Sequence, residues 1–125
     1  MVTSKEYLDQ ARFLDMRINA KLAQLESLKN LRLRAESADG TVMKIAAMQK
    51  EINRDIDSLV DLKTEITRRI RQLSKPEYQT LLELRYLCFL TWDEIILQMR
   101  YARRHVFRLH KEALEELDRL RSRPP

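Results

Sequence analysis

Apolar residues in the first part of the chain fall at Tyr7, Ala11, Leu14, Ile18, Leu22, Leu25, Leu28 and Leu31. Every step is three or four residues, which places these side chains along one stripe of a helix. The pattern predicts a helix from about Thr3 to Ala35. Thr3 or Ser4 can cap its start, and Glu6 complements the positive end of the helix dipole. A second stripe follows at Ile45, Met48, Ile52, Ile56, Leu59, Leu62, Ile66, Ile70 and Leu73. It predicts a helix from about Thr41 to Leu73. Between the two lies Glu36-Ser37-Ala38-Asp39-Gly40-Thr41, which holds the single glycine of the chain and reads as a turn. Two helices of about 30 residues, each about 45 Å long, joined by a short turn make an antiparallel, coiled-coil-like hairpin.

A two-helix hairpin covers only one seam on each helix. Phe13, Met16 and Leu33 on the first helix and Val42, Met43 and Val60 on the second lie off the main stripes. This surplus predicts a second contact surface. One way to cover it is another copy of the hairpin, giving a homodimer or higher homo-oligomer through residues 1–73. The alternative is that the rest of the chain folds back over it.

Ser74-Lys75-Pro76-Glu77 marks the next boundary. Proline suits the first position of a helix, and Ser74 and Glu77 have capping-box spacing. A helix from Pro76 to about Cys88 is predicted, then a second capping box at Thr91 and Glu94 opening a short helix to about Gln98 or Met99. Arg100 and Tyr101 form a turn, and a last helix runs from about Ala102 to Arg119. Arg121 to Pro125 reads as a polar tail without a fold. The chain is thus read as all-α, with a hairpin arm over residues 1–73 and a helix-turn-helix domain over residues 74–125.

Composition narrows the function. The chain has 125 residues, 34% of them charged and 44% hydrophobic, which is apolar enough for a core. Its net charge of +5 favours an anionic partner only weakly. The placement of that charge says more. Gln98 to Lys111 contains Arg100, Arg103, Arg104, Arg108, Lys111, His105 and His110 and no acid. The core side of the last helix is predicted at Val106, Leu109, Ala113, Leu114 and Leu117, packed on Ile95, Ile96 and the helix from Pro76. The opposite side then presents Arg103, Arg104, Phe107, Arg108 and Lys111. Such a face suits double-stranded DNA, because Arg reads guanine O6 and N7 and Arg and Lys neutralise phosphates. An exposed Phe107 could touch a thymine methyl, and His105 could touch a phosphate or a base. The acids Glu112, Glu115, Glu116 and Asp118 follow in later turns, away from that edge.

Other chemistry is not indicated. Cys88, the single cysteine, sits in an apolar run and reads as a small buried side chain. Trp92 reads as a core residue. One cysteine and two histidines make a poor metal site, and no nucleophile–base pair or phosphate-cradling glycine loop is visible. No enzyme activity and no cofactor are expected. No run of about 18 apolar residues or leader pattern is evident, so a cytoplasmic protein without membrane contact is expected.

Several stretches carry a resemblance: Glu77-Tyr78, Leu84-Arg85-Tyr86-Leu87, Thr91-Trp92-Asp93-Glu94-Ile95, Tyr101 to His110, and Ala113-Leu114. Together they resemble the region 4 module of sigma factors, and more closely the small phage and prophage transcriptional regulators of the ArpU/RinA kind. Lys5-Glu6-Tyr7-Leu8, Arg17-Ile18-Asn19, Glu51-Ile52-Asn53 and Ile56-Asp57 are similar to the helical arm of that group. The resemblance implies a sequence-specific regulator in a bacterial host cell that reads promoter-region DNA through Arg103, Arg104, His105, Phe107 and Arg108. It also allows a contact with RNA polymerase. The sequence departs from the pattern at Ile96, where a small residue is usual, at Arg100, where a glycine is usual, and at Ala102, where a serine is usual. Arg100 is expected in a left-handed conformation at a cost of roughly 1 kcal/mol. Ala102 forgoes roughly 1 kcal/mol of capping. The competing reading is a protein-interaction adaptor or scaffold built on the hairpin.

Overall fold

A computed structural model describes residues 2–34 and 39–123. Five helices follow in order: α1 (Ser4–Arg34), α2 (Asp39–Ile70), α3 (Pro76–Tyr86), α4 (Trp92–Met99) and α5 (Arg103–Ser122). The chain is all-α, with α1 and α2 forming the expected long antiparallel pair and α3 to α5 a smaller bundle. Of the predicted turn, Glu36, Ser37 and Ala38 lie outside the described residues, as do Ala35, Pro124 and Pro125. Asp39, Gly40 and Thr41 are already helical, so the second helix starts before the glycine. Thr3 is the residue that caps α1, its Oγ1 accepting from Glu6 N at 3.1 Å.

Two compact units are distinguished, residues 13–61 and residues 1–12 with 62–125. In the first, Ile18 and Leu25 of α1 meet Ile45 and Ile52 of α2, with Leu14, Leu28, Met48 and Leu59 half-buried around them. Each such aliphatic side chain contributes roughly 1.5–3 kcal/mol when fully buried. Lys21 fixes the register between the helices. Its Nζ donates to Asp55 Oδ2 at 2.6 Å and to Glu51 Oε1 at 2.7 Å. These bonds hold the carboxyls of Asp55 and Glu51 below their ordinary range and raise the Lys21 ammonium.

Not all of the predicted stripe is used. Leu22, Leu31 and Ile56 are exposed. A run of three- and four-residue steps drifts around the helix, and one partner helix covers only part of its width.

The second unit takes in the start of α1, the end of α2 and all of α3 to α5. Its core contains Leu8, Ile66, Ile70, Leu81, Leu82, Ile95, Val106, Ala113 and Leu117, all fully buried. The polar side of α5 ties down the chain ends of this unit. Asp118 Oδ1 accepts from Ser4 N at 2.9 Å, satisfying an N–H that α1 leaves unpaired. Arg121 donates to Ser4 Oγ at 3.1 Å and to Val2 O at 3.3 Å. Arg121 and Ser122 are therefore part of α5 rather than of a free tail.

Two further expectations change. Ser74 does not cap α3; the N-cap is Lys75, without a side-chain bond. Ser74 N and Oγ instead donate to Glu116 at 2.8 and 3.0 Å. Ser74 stands one position before the N-cap, and the Glu116 carboxylate is a strong acceptor for both of its donors. Cys88 is exposed, not buried. Helix α3 stops at Tyr86, two residues earlier than predicted, and Phe89 turns the chain with a left-handed φ of 59°. Leu90 N then donates to Leu84 O at 3.0 Å, and Arg85 Nη1 donates to Leu90 O at 2.9 Å. That turn carries Cys88 outward.

Candidate nucleic-acid interface

Helix α4 opens on the predicted capping box. Thr91 Oγ1 accepts from Glu94 N at 3.2 Å, and Glu94 Oε1 accepts from Thr91 N at 3.0 Å. The backbone bond from Thr91 keeps the Glu94 carboxyl below its usual range. The helix ends at Arg100, whose φ of 58° and ψ of 34° place it in the left-handed region expected of it, a conformation that glycine adopts without strain. Ala102 is the N-cap of α5 in an extended conformation, without a side-chain bond. The order is a capped short helix, a left-handed turn and a basic helix.

Packing decides which side of α5 faces out. Val106, Leu109, Ala113 and Leu117 are buried and Leu114 is half-buried. Ile95 beneath them is fully buried and Ile96 is half-buried. Arg103, Arg104, Phe107, Arg108 and Lys111 are exposed, as is Arg100 in the turn, and His105 is half-buried. All seven predicted contact residues thus lie on the turn or on the outer side of α5. Arg100, Arg104 and Lys111 form no ion pair or side-chain hydrogen bond with a described residue.

Two arginines are engaged. Arg103 Nη2 forms an ion pair with Asp93 Oδ1 in the first turn of α4. Arg108 Nη2 donates to His105 Nδ1 at 2.7 Å, and its Nε lies 3.8 Å from Glu112 Oε1. Glu112 thus reaches the basic edge, contrary to the expectation that the acids of α5 stand clear of it. Both arginine side chains remain well exposed, and exposed pairs contribute roughly 0.2–1 kcal/mol, so an anion in the same place can displace them.

Aromatic contacts brace this surface from below. Trp92 is half-buried, with its ring 4.9 Å from that of Phe107 and 4.7 Å from that of His110. The Arg85 guanidinium lies over the Trp92 ring, 4.7 Å from its centroid. Phe107 is 40% exposed, so its outer edge is open while its inner edge leans on Trp92. The Tyr101 ring meets His105 edge-on at 4.7 Å.

Asp93 and Arg85 are the residues that the sequence reading missed. Arg85 and Trp92 stand in different helices, and no periodic signal links them. Asp93 was visible only as a first-turn acid. Among the described residues no group of three or more His, Cys, Asp or Glu could hold a metal, and no helix is long and apolar enough to cross a membrane.

The chain belongs to the DUF1492 family, a protein family of unknown function, whose model matches residues 32–118. That span takes in α2, α3, α4 and α5 as far as Asp118. No curated protein and no solved structure matches the chain.

Proposed function

We propose that this protein is a sequence-specific DNA-binding transcriptional regulator whose α5 enters the major groove. The observation that carries the reading is the outer side of α5. Arg103, Arg104, Phe107, Arg108 and Lys111 share it, while Val106, Leu109, Ala113 and Leu117 hold the helix from behind. A recognition helix needs both properties, because side chains can read bases only from a helix that does not move.

The support is physical. Arg104 and Lys111 are available to phosphates without breaking an internal bond. Arg103 and Arg108 exchange weak exposed pairs for phosphate or guanine contacts. Arg100 adds charge in the turn beside the helix start, and His105 and Phe107 fill the space between the arginines. The resemblance to ArpU/RinA-type phage regulators and to sigma region 4 agrees with this placement. It extends the proposal to phage or prophage genes and to a role beside RNA polymerase in a bacterial cytoplasm.

The test is DNA binding across a salt series, using sequences selected from a random pool. Four cations on phosphates give a slope of log K against log salt of about −3 to −4. Arg104→Ala/Lys111→Ala should reduce that slope by about 2 and weaken all sequences alike. Arg103→Ala/Arg108→Ala should also flatten the preference among sequences. Absence of any binding at about 50 mM salt, where phosphate contacts are strongest, would leave the adaptor reading in its place.

A further inference from the structure

Helix α2 carries a second stripe besides the one that meets α1. Val42, Ala46, Gln49, Asn53, Ile56 and Val60 follow at steps of four, three, four, three and four. That spacing is the 3.5-residue repeat of a coiled-coil seam. All six are exposed, with Val42 and Ile56 at 39% and Val60 at 57%. None is charged, in a chain where 34% of residues are. The stripe lies beside the buried Ile45 and Ile52 and the half-buried Leu59, so α2 is apolar over more of its circumference than α1 covers.

We propose that this stripe is the docking face for α2 of a second copy of the chain, running antiparallel, so that the protein is a dimer joined through its hairpins. Charge sets the direction. Lys50 and Asp57 stand one heptad apart on the edge of the stripe away from α1, and both are exposed. An antiparallel copy centred near Asn53 brings Lys50 of each chain against the partner's Asp57. A parallel copy places lysine level with lysine and aspartate level with aspartate. Gln49 and Asn53 give the seam a polar middle, and a polar residue at such a position selects one register and partner number at some cost in stability. In that register residues 47 to 60 of the two stripes overlap, about 20 Å of helix on each chain.

The inference is independent of DNA binding. It is tested by sedimentation of the full chain over a concentration series, with circular dichroism as the control for folding. The wild type should sediment as a dimer at micromolar concentration. Ile56→Glu, and separately Ala46→Glu at a fully helix-compatible site, should give monomers with unchanged helicity. Lys50→Asp should weaken the dimer roughly fivefold or more, and Lys50→Asp/Asp57→Lys should restore it. A wild type that stays monomeric at about 100 μM, well above the micromolar range, overturns the proposal. So does a dimer that survives both glutamate variants, or one that is lost with Phe13→Glu/Met16→Glu on α1 but not with the α2 variants. A double charge variant that remains as weak as Lys50→Asp overturns the antiparallel direction.

Discussion

Tyr86 Oη lies 2.7 Å from His110 Nε2, joining the last turn of α3 to the middle of α5. The two rings are stacked, with centroids 5.8 Å apart and an interplanar angle of 18°. The Trp92 ring meets the imidazole in a T-shaped contact, with centroids 4.7 Å apart. Tyr86 is buried and His110 half-buried. Burial raises the Tyr86 phenol and lowers the His110 imidazole, so both are neutral at physiological pH.

His110 makes stability depend on pH. Burial is the largest cause, and Arg85 and Lys5 add to it against a smaller opposing effect of Asp9, bringing the group down to about 4 from 6.5. The unfolded chain therefore binds a proton more readily than the folded one between those values. Stability is full above about pH 6.5 and falls as pH drops toward 4, by on the order of 2 kcal/mol after allowance for partial exposure. Chemical denaturation at several pH values should show this slope, and His110→Gln should remove it. An unchanged slope in the variant would assign the effect to another group.

Removing the hydroxyl partner should also cost stability. Tyr86→Phe leaves a half-buried imidazole without its bond, and the expected loss is about 1–3 kcal/mol. Thermal melting of the variant at pH 7.5 measures it. A loss below about 0.5 kcal/mol would show that water replaces the phenol.

Arg100 holds a left-handed backbone conformation that glycine adopts without strain. Arg100→Gly should stabilise the fold by about 0.5–1 kcal/mol, since strain relief exceeds the added freedom of the unfolded chain. DNA affinity should fall slightly with the lost charge. A lower melting temperature would mean that the arginine side chain contributes packing.

Ala102 begins α5 without a cap. Ala102→Ser supplies a hydroxyl that can accept from the N–H of Arg104 or His105, and should stabilise by about 0.5–1.5 kcal/mol. Urea denaturation should show a higher midpoint at an unchanged slope.

Asp93 competes with DNA for Arg103 on the proposed reading. Asp93→Asn keeps the size of the side chain and removes its charge, so DNA should bind roughly two- to fivefold tighter. Weaker binding would show that Asp93 aims Arg103 at the groove instead of withholding it. Titration at fixed low salt distinguishes the two.

Much of this molecule was legible before its coordinates. Periodicity marked α1, α2 and α5, because a helix that must bury one stripe repeats its apolar residues every three or four positions, while Pro76 and the capping box at Thr91 and Glu94 marked the starts of α3 and α4. The capping box at Thr91 and Glu94 was readable because it arises from residues a few positions apart, and the left-handed turn at Arg100 was implied by the resemblance, in which a glycine is usual at that place. The same locality exposed the outer side of α5, since the buried positions of one helix fix where the others point.

What the sequence could not decide involves partners distant along the chain. Ser74 looked like a local cap, and only the fold brought Glu116 to it from 42 positions away. Ser4 and Asp118 are 114 positions apart. Cys88 read as buried because its neighbours are apolar, yet the turn at Phe89 moved it outward. The sequence by itself determined which faces of the helices are apolar and which are basic, since that follows from spacing along one backbone. Only the tertiary structure decided which apolar faces find cover, which arginines meet a carboxylate and which helix starts are tied down, since those choices depend on groups that the chain brings together only when it folds.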